Sequence, residues 1–189
     1  MTYLTTPDES PIYAADREKF GYVPNYTRVF ALAPVAYAGW LQLGAGIRDG
    51  MDLRRYELVT LAAAQAVGSD YCAIAHALVL RDRYYSDDEL RAIAVDHHAA
   101  GLDPVDVAVM DFAARVAADP TSVPDLAPLR AFGLSDVEVL HIVLAACARR
   151  FFSGVLSAVD VAPDAAYDEV LDPELRAAVT TAGSGQAPA

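Results

Sequence analysis

Apolar and small residues recur along the chain at helical spacing, and no stretch alternates in the manner of a strand or hairpin. After a polar lead the pattern predicts a short helix over 12–20, broken by Gly21 and Pro24. Helices over 26–32 and 34–48 follow, with Pro34 as a helix-starting proline and Gly50 as a stop. Asp52 caps a helix to about Val67, whose body from Leu58 onward is apolar or small nearly all round, the mark of a helix surrounded by others. Gly68 ends it, and Ser69-Asp70 restarts the chain into a helix through about Arg83. Ser86-Asp87-Asp88-Glu89 is a capping box, and Gly101 closes the helix it opens. Asp103-Pro104 opens another that ends near Pro120; a loop to Pro124 and a short helix over 125–132 come next, stopped by Gly133. A second capping box, Ser135-Asp136-Val137-Glu138, begins the longest helix. Leu140, Leu144, Cys147, Phe151 and Val155 recur on one face of it and are expected to pack into the core. Asp172-Pro173 opens a last short helix. The expected fold class is all-α, roughly eight to ten helices around a central helical hairpin. One domain is expected over 1–182, followed by a loose tail over 183–189.

Composition narrows the function. Hydrophobic residues make up 54% and charged residues 21% of the 189 residues, too apolar for a disordered chain. The net charge of −12 and the lack of a basic cluster disfavour nucleic acid and an anionic membrane face as partners. No run reaches the ~18 uninterrupted apolar residues of a membrane span. The amino terminus lacks the basic-then-apolar order of a signal peptide. Lys19 is the only lysine and sits in a polar stretch, unsuited to Schiff-base chemistry. Two cysteines, Cys72 and Cys147, fit free thiols in a reducing, cytoplasmic setting. With Cys147 on the expected core stripe, Cys72 is the thiol of interest.

Cys72 and His76, four residues apart, share one helix face a turn from each other. If Ser69 is the N-cap, Cys72 lies in the first helical turn, where backbone amides favour a thiolate, while Asp70 opposes that effect. Glu57 lies on the preceding antiparallel helix in apolar surroundings. A link from its carboxylate to His76 is within reach of the hairpin, directly or through a bridging water, and would orient the imidazole and raise its basicity. The same residues also have a plain structural reading: Cys72 as a small hydrophobe, His76 as a satisfied core histidine, and Glu57 paired with Arg54, Arg55 or Arg81.

Around these residues the sequence resembles a known family. Arg54-Arg55-Tyr56-Glu57 followed by Ser69-Asp70-Tyr71-Cys72-Ala73-Ile74-Ala75-His76 is similar to the signature of alkylhydroperoxidase D-like (carboxymuconolactone decarboxylase-like) proteins. In that signature a glutamate precedes, by twelve residues, the start of a Cys-x-x-Cys-x-x-x-His motif. Gly21 to Pro34 resembles the lead-in of the peroxidase-related branch, and Leu134 to Leu144 its closing helix. The resemblance implies an all-helical fold assembled as trimers or hexamers, and thiol-dependent peroxide reduction. It makes Cys72 the nucleophile, His76 the base and Glu57 the far end of a proton relay. Ser69 departs from the pattern, standing where the first motif cysteine belongs, so the motif disulfide cannot form. A sulfenic acid on Cys72 then needs an external thiol or Cys147 to resolve it.

The supporting candidates are Ser69 as a cap, Tyr71 and Trp40 as pocket walls or core aromatics, and His141 facing either a pocket beside Cys72 or the surface. His97 and His98 are adjacent, so on a helix they point about 100° apart and converge poorly on a metal; a solvated helix end is expected instead. No phosphate loop, zinc spacing or nucleophile elbow is present, and neither metal nor cofactor is expected. The leading expectation is a peroxidase-like oxidoreductase taking a hydroperoxide and an external thiol. A cofactor-free acid–base enzyme acting on a small organic acid and a non-catalytic binding protein remain alternatives, and homo-oligomers are expected throughout.

Overall fold

The computed structural model describes residues 2–122 and 125–181, and within them the chain is helical with no strand. The expected tail over 183–189 lies outside the described residues. The helices are α1 (Tyr13–Phe20), α2 (Asn25–Phe30), α3 (Pro34–Asp49), α4 (Leu53–Ala66), α5 (Asp70–Arg83) and α6 (Asp87–Asp96). They continue with α7 (Pro104–Ala118), α8 (Ala127–Ala131), α9 (Asp136–Ala158), α10 (Ala166–Val170) and α11 (Pro173–Thr181). A single 3₁₀ turn over Pro120–Ser122 follows α7.

Local chemistry sets most of these boundaries. Pro34 occupies the first turn of α3, the Asp52 carboxylate accepts from Arg55 N at 3.0 Å, and both capping boxes close reciprocally. Gly68 turns the α4–α5 hairpin at φ 66, a left-handed conformation that a side chain disfavours.

Helix α4 is the axis of the fold. Tyr56 to Ala64 are all buried, and α4 packs on α5, α7 and α9 at once. Two hydrophobic clusters meet along it, one built with α2, α5, α6 and α11, the other with α7 and α9. Alanines at 62, 63, 64, 73 and 77 let α4 and α5 approach closely. Arg54 and Arg55 are drawn to the fully buried Asp106 of α7, at 2.5 and 3.5 Å, and Arg54 also donates to the Tyr85 hydroxyl at 2.7 Å. This leaves neither arginine to pair with Glu57.

Two expectations fail, each for a physical reason. The stripe of α9 that carries Leu140, Leu144, Cys147 and Phe151 faces outward: Leu140 is 56% and Phe151 55% exposed, and Cys147 is exposed too. The inward face carries Val139, Ile142, Ala146, Arg149, Phe152 and Leu156. Both faces of α9 are apolar, so periodicity locates two stripes without saying which is buried. Among the described helices, α9 alone is long and apolar enough to cross a membrane, yet here it packs on α3, α4 and α7. His97 and His98 do converge. They lie just past the end of α6, and the Asp111 carboxylate on α7 stands between them: both Nε2 atoms meet its Oδ1, at 2.8 and 3.0 Å.

His141, on the flank of α9, lies against the α3–α4 junction, away from Cys72. A Cβ at Gly50 would come within 1.9 Å of its ring, so the ring fills the space that a side chain would need. Gly50→Ala should therefore lower stability by about 1–3 kcal/mol through overpacking, less ~0.4–1 kcal/mol from restricting the unfolded chain. Adding His141→Ala should recover most of that loss. Urea denaturation measures both, and an unchanged midpoint for the single variant would contradict the packing.

Candidate active site

The hairpin brings Glu57 and His76 into direct contact. Glu57 is 5% exposed on α4, and its Oε2 lies 2.5 Å from His76 Nδ1 on α5, with no need of a bridging water. The alanines between the helices are what allow the direct link. Burial first, and the Arg149 charge second, push the His76 pKa below its ordinary value, while Glu57 pulls it back up. A neutral imidazole facing a carboxylate donates from Nδ1, which leaves Nε2 as its basic nitrogen. The Tyr56 ring stands edge-on to the imidazole, with centroids 6.2 Å apart.

Cys72 is 1% exposed, in the first turn of α5. Ser69 does occupy the N-cap position, but its side chain makes no capping hydrogen bond, so the expected hydroxyl cap is absent. The charge beside the sulfur comes from elsewhere. Arg149 Nη1 of α9 lies 3.5 Å from Cys72 Sγ, in hydrogen-bond range for sulfur. Arg149 is itself only 6% exposed, and no carboxylate lies within 4.0 Å of it among the described residues. Its Nε is buried without a hydrogen-bond partner. Burial alone works against its charge, yet its pKa stands above the ordinary value, raised most by its interaction with Cys72 and further by Tyr56 and Glu57. The guanidinium also lies over the face of Phe152, 5.7 Å from the centroid. The sequence pattern did not single out Arg149. The signal that could have found it is a cation on the apolar inward side of the longest helix.

Cys72 and Arg149 share the wall of a cavity of about 280 Å³ between α3, α5 and α9. Six aromatic residues complete most of that wall: Tyr26, Tyr37, Trp40, Tyr56, Tyr71 and Phe152. Trp40 stacks on Phe152 at 4.8 Å, and Tyr26 meets both Tyr71 and Phe152 edge-on. The Tyr71 hydroxyl donates to the buried Asp164, which fixes the ring in place. Tyr71 and Trp40 thus wall a pocket, whereas His141 does not reach it. His76 and Glu57 stand behind the Cys72 wall rather than lining it. Cys147 lies on the outward face of α9, the opposite side from Arg149, and the two thiols are not brought together.

The hairpin thus brings together Glu57, Cys72 and His76, the residues that match the alkylhydroperoxidase D-like signature, with Ser69 in place of its first cysteine. Residues 34–115, which hold α3 to α6 with the whole hairpin and most of α7, match the model of the Carboxymuconolactone decarboxylase family, and over that stretch the chain resembles that family. Solved structures share the fold. An uncharacterized peroxidase-related protein from Silicibacter sp. TM1040 is 21% identical with a TM-score of 0.77, covering 88% of this chain and 93% of that one. A peroxidase-related protein with an alkylhydroperoxidase AhpD core from Ralstonia eutropha JMP134 is 20% identical with a TM-score of 0.74, covering 82% and 85%. The debrominase Bmp8 in complex with 2,3,4-tribromopyrrole is 16% identical with a TM-score of 0.75, covering 92% and 100%. No curated protein matches the chain.

The lowered pKa of His76 has a consequence for stability. Between its folded value and the ordinary ~6.5 of an unfolded histidine, the unfolded chain binds more protons than the folded one. The stability that neutral His76 contributes is complete above that ordinary value and is lost as the pH falls through the folded one. Acidification from pH 7 to about 5.5 should lower the melting temperature, and His76→Gln should flatten that slope. Thermal melts across the range measure it, and an equal slope in both proteins would refute it.

Proposed function

We propose that the protein is a thiol-dependent, peroxidase-like oxidoreductase whose nucleophile is Cys72. The observation that carries this reading is the contact between Cys72 Sγ and Arg149 Nη1 at the wall of the cavity. A buried cation without a carboxylate partner is stabilised by negative charge on the adjacent sulfur, and the thiolate is the form that attacks.

In the proposed reaction the Cys72 thiolate attacks the terminal oxygen of a hydroperoxide. The O–O bond breaks, the departing alkoxide takes up a proton to leave as an alcohol, and Cys72 becomes a sulfenic acid. That proton is the one the Cys72 thiol gave up: His76, oriented by Glu57, takes it on Nε2 as the thiolate forms and returns it, through water, to the alkoxide. An external thiol then condenses with the sulfenic acid, releasing water and forming a mixed disulfide. A second thiol attacks this disulfide, which returns the Cys72 thiol and releases the oxidised reductant. The net change is one hydroperoxide and two thiols to one alcohol, one water and one disulfide. Ser69 cannot serve as resolving thiol, and exposed Cys147 sits on the wrong side of α9, which favours an external reductant.

The aromatic wall favours a second reading on the same thiol: reductive removal of a halogen from an aromatic ring. There the Cys72 sulfur takes the halogen as the ring gains a proton. Two external thiols then restore Cys72, releasing hydrogen halide and a disulfide. The debrominase that shares this fold gives the reading its chemistry. A purely acid–base enzyme is less well supported, because His76 and Glu57 do not line the cavity. The outward apolar stripe of α9 supports assembly as a homo-oligomer, for which sedimentation giving only monomer at micromolar concentration is the contrary result.

Peroxide consumption with an added small thiol should fall to background in Cys72→Ser and drop by about 10²–10⁴ in His76→Gln, with Ser69→Ala nearly unchanged. A sulfenic acid on Cys72, trapped by dimedone after a stoichiometric pulse of peroxide, is the expected intermediate. Full turnover in Cys72→Ser would remove the reading.

A further inference from the structure

We propose that the Cys72 cavity is a binding site for a planar aromatic monoanion, a ring bearing one carboxylate or phenolate group. This rests on the reading above only in taking the Cys72 cavity as the reaction site.

Size argues first. An apolar cavity of about 150 Å³ is enough to hold benzene. The cavity here is about 280 Å³, so it admits a substituted ring, whereas hydrogen peroxide would leave most of it empty. The shape of the wall argues second. Six aromatic side chains surround the space, and Phe30, Tyr37, Trp40 and Phe152 form a continuous stack with neighbouring centroids 4.8–5.3 Å apart. Such a wall is held rigid by its own ring contacts and offers flat faces and edges to a further ring.

Charge argues third. Arg149 is buried at the wall, lacks a carboxylate partner among the described residues, and has Nε without an acceptor. Among the described residues its one hydrogen bond is to the Cys72 sulfur, so the guanidinium retains donor capacity for a second acceptor. Arg48, exposed at the rim of the same cavity, adds a second cation. The two arginines stand out on a chain of net charge −12. That charge repels anions at a distance, so selection must come from the cations at the cavity itself. Among the described residues no carboxylate lines the cavity; the Cys72 thiolate offsets part of the Arg149 charge, and Arg48 makes the balance at the wall positive.

The test uses the full wild-type chain without peroxide or added thiol, so no turnover occurs. Trp40 is the only tryptophan and lines the cavity, so its fluorescence reports occupancy directly. Three probes of similar size separate the arguments: benzoate, neutral benzamide and non-aromatic cyclohexanecarboxylate. Benzoate should change Trp40 emission saturably and bind at least ~10-fold tighter than benzamide, with its affinity weakening as salt rises. It should also bind several-fold tighter than cyclohexanecarboxylate. Arg149→Met should abolish the preference for the anion. Arg48→Ala, an exposed substitution that keeps the fold, should weaken benzoate by roughly 2–5-fold while leaving benzamide unchanged. Benzamide or cyclohexanecarboxylate binding as tightly as benzoate, no saturable benzoate response, or an unaltered benzoate affinity in Arg48→Ala overturns the proposal. Since peroxide is absent, that failure leaves the peroxidase reading standing. Equally, loss of the peroxidase reading leaves a positive binding result intact.

Discussion

A guanidinium removed from water has to be compensated, and around Arg149 almost everything else in the site follows from that requirement. Desolvating a cation of this size costs several kcal/mol even after relaxation. The compensation on offer is the Cys72 sulfur, the face of Phe152, and the nearby Glu57 carboxylate. None is a carboxylate within ion-pair range. The structure therefore places cation and thiol in mutual dependence. The same cation helps keep His76 neutral, so the two residues on one face of α5 are held in opposite electrostatic roles by one side chain of α9.

That geometry exists because α4 and α5 lie close. A hairpin of larger side chains would set the helices farther apart, and Glu57 would reach His76 only through water. Alanines in both helices, together with the left-handed turn at Gly68, bring the carboxylate and the imidazole into direct contact. Asp106 contributes by drawing in Arg54 and Arg55, which would otherwise compete with His76 for Glu57. The acid–imidazole pair is thus specified partly by where the other charges are sent.

Much of this was legible in the sequence, because the signals involved are local. Capping boxes at Ser86 and Ser135, the proline at 34 and the stops at Gly50 and Gly68 each act within a turn or two, and the helices begin and end where they indicate. Glu57, Cys72 and His76 were legible because a hairpin with a short turn makes their spacing three-dimensional. What could not be read depends on tertiary packing. The buried face of α9 is decided by α3, α4 and α7, and the larger side chains happen to lie on its other side. Arg149 lies 77 residues from Cys72 along the chain, so no local spacing joins them. His97 and His98 converge on Asp111, a carboxylate supplied by α7 thirteen or more residues on, which their own spacing does not reveal. Ser69 sits at the cap position without capping, since position alone does not orient a hydroxyl.

Phe151 and Phe152 are neighbours in sequence, yet one faces out from α9 and the other into the cavity, and Trp40 touches both, with centroids 5.7 and 4.8 Å away. The indole is therefore a lever with one end outdoors. Whatever settles on the outer surface of that helix meets Phe151, a ring in contact with the same indole that bounds the cavity.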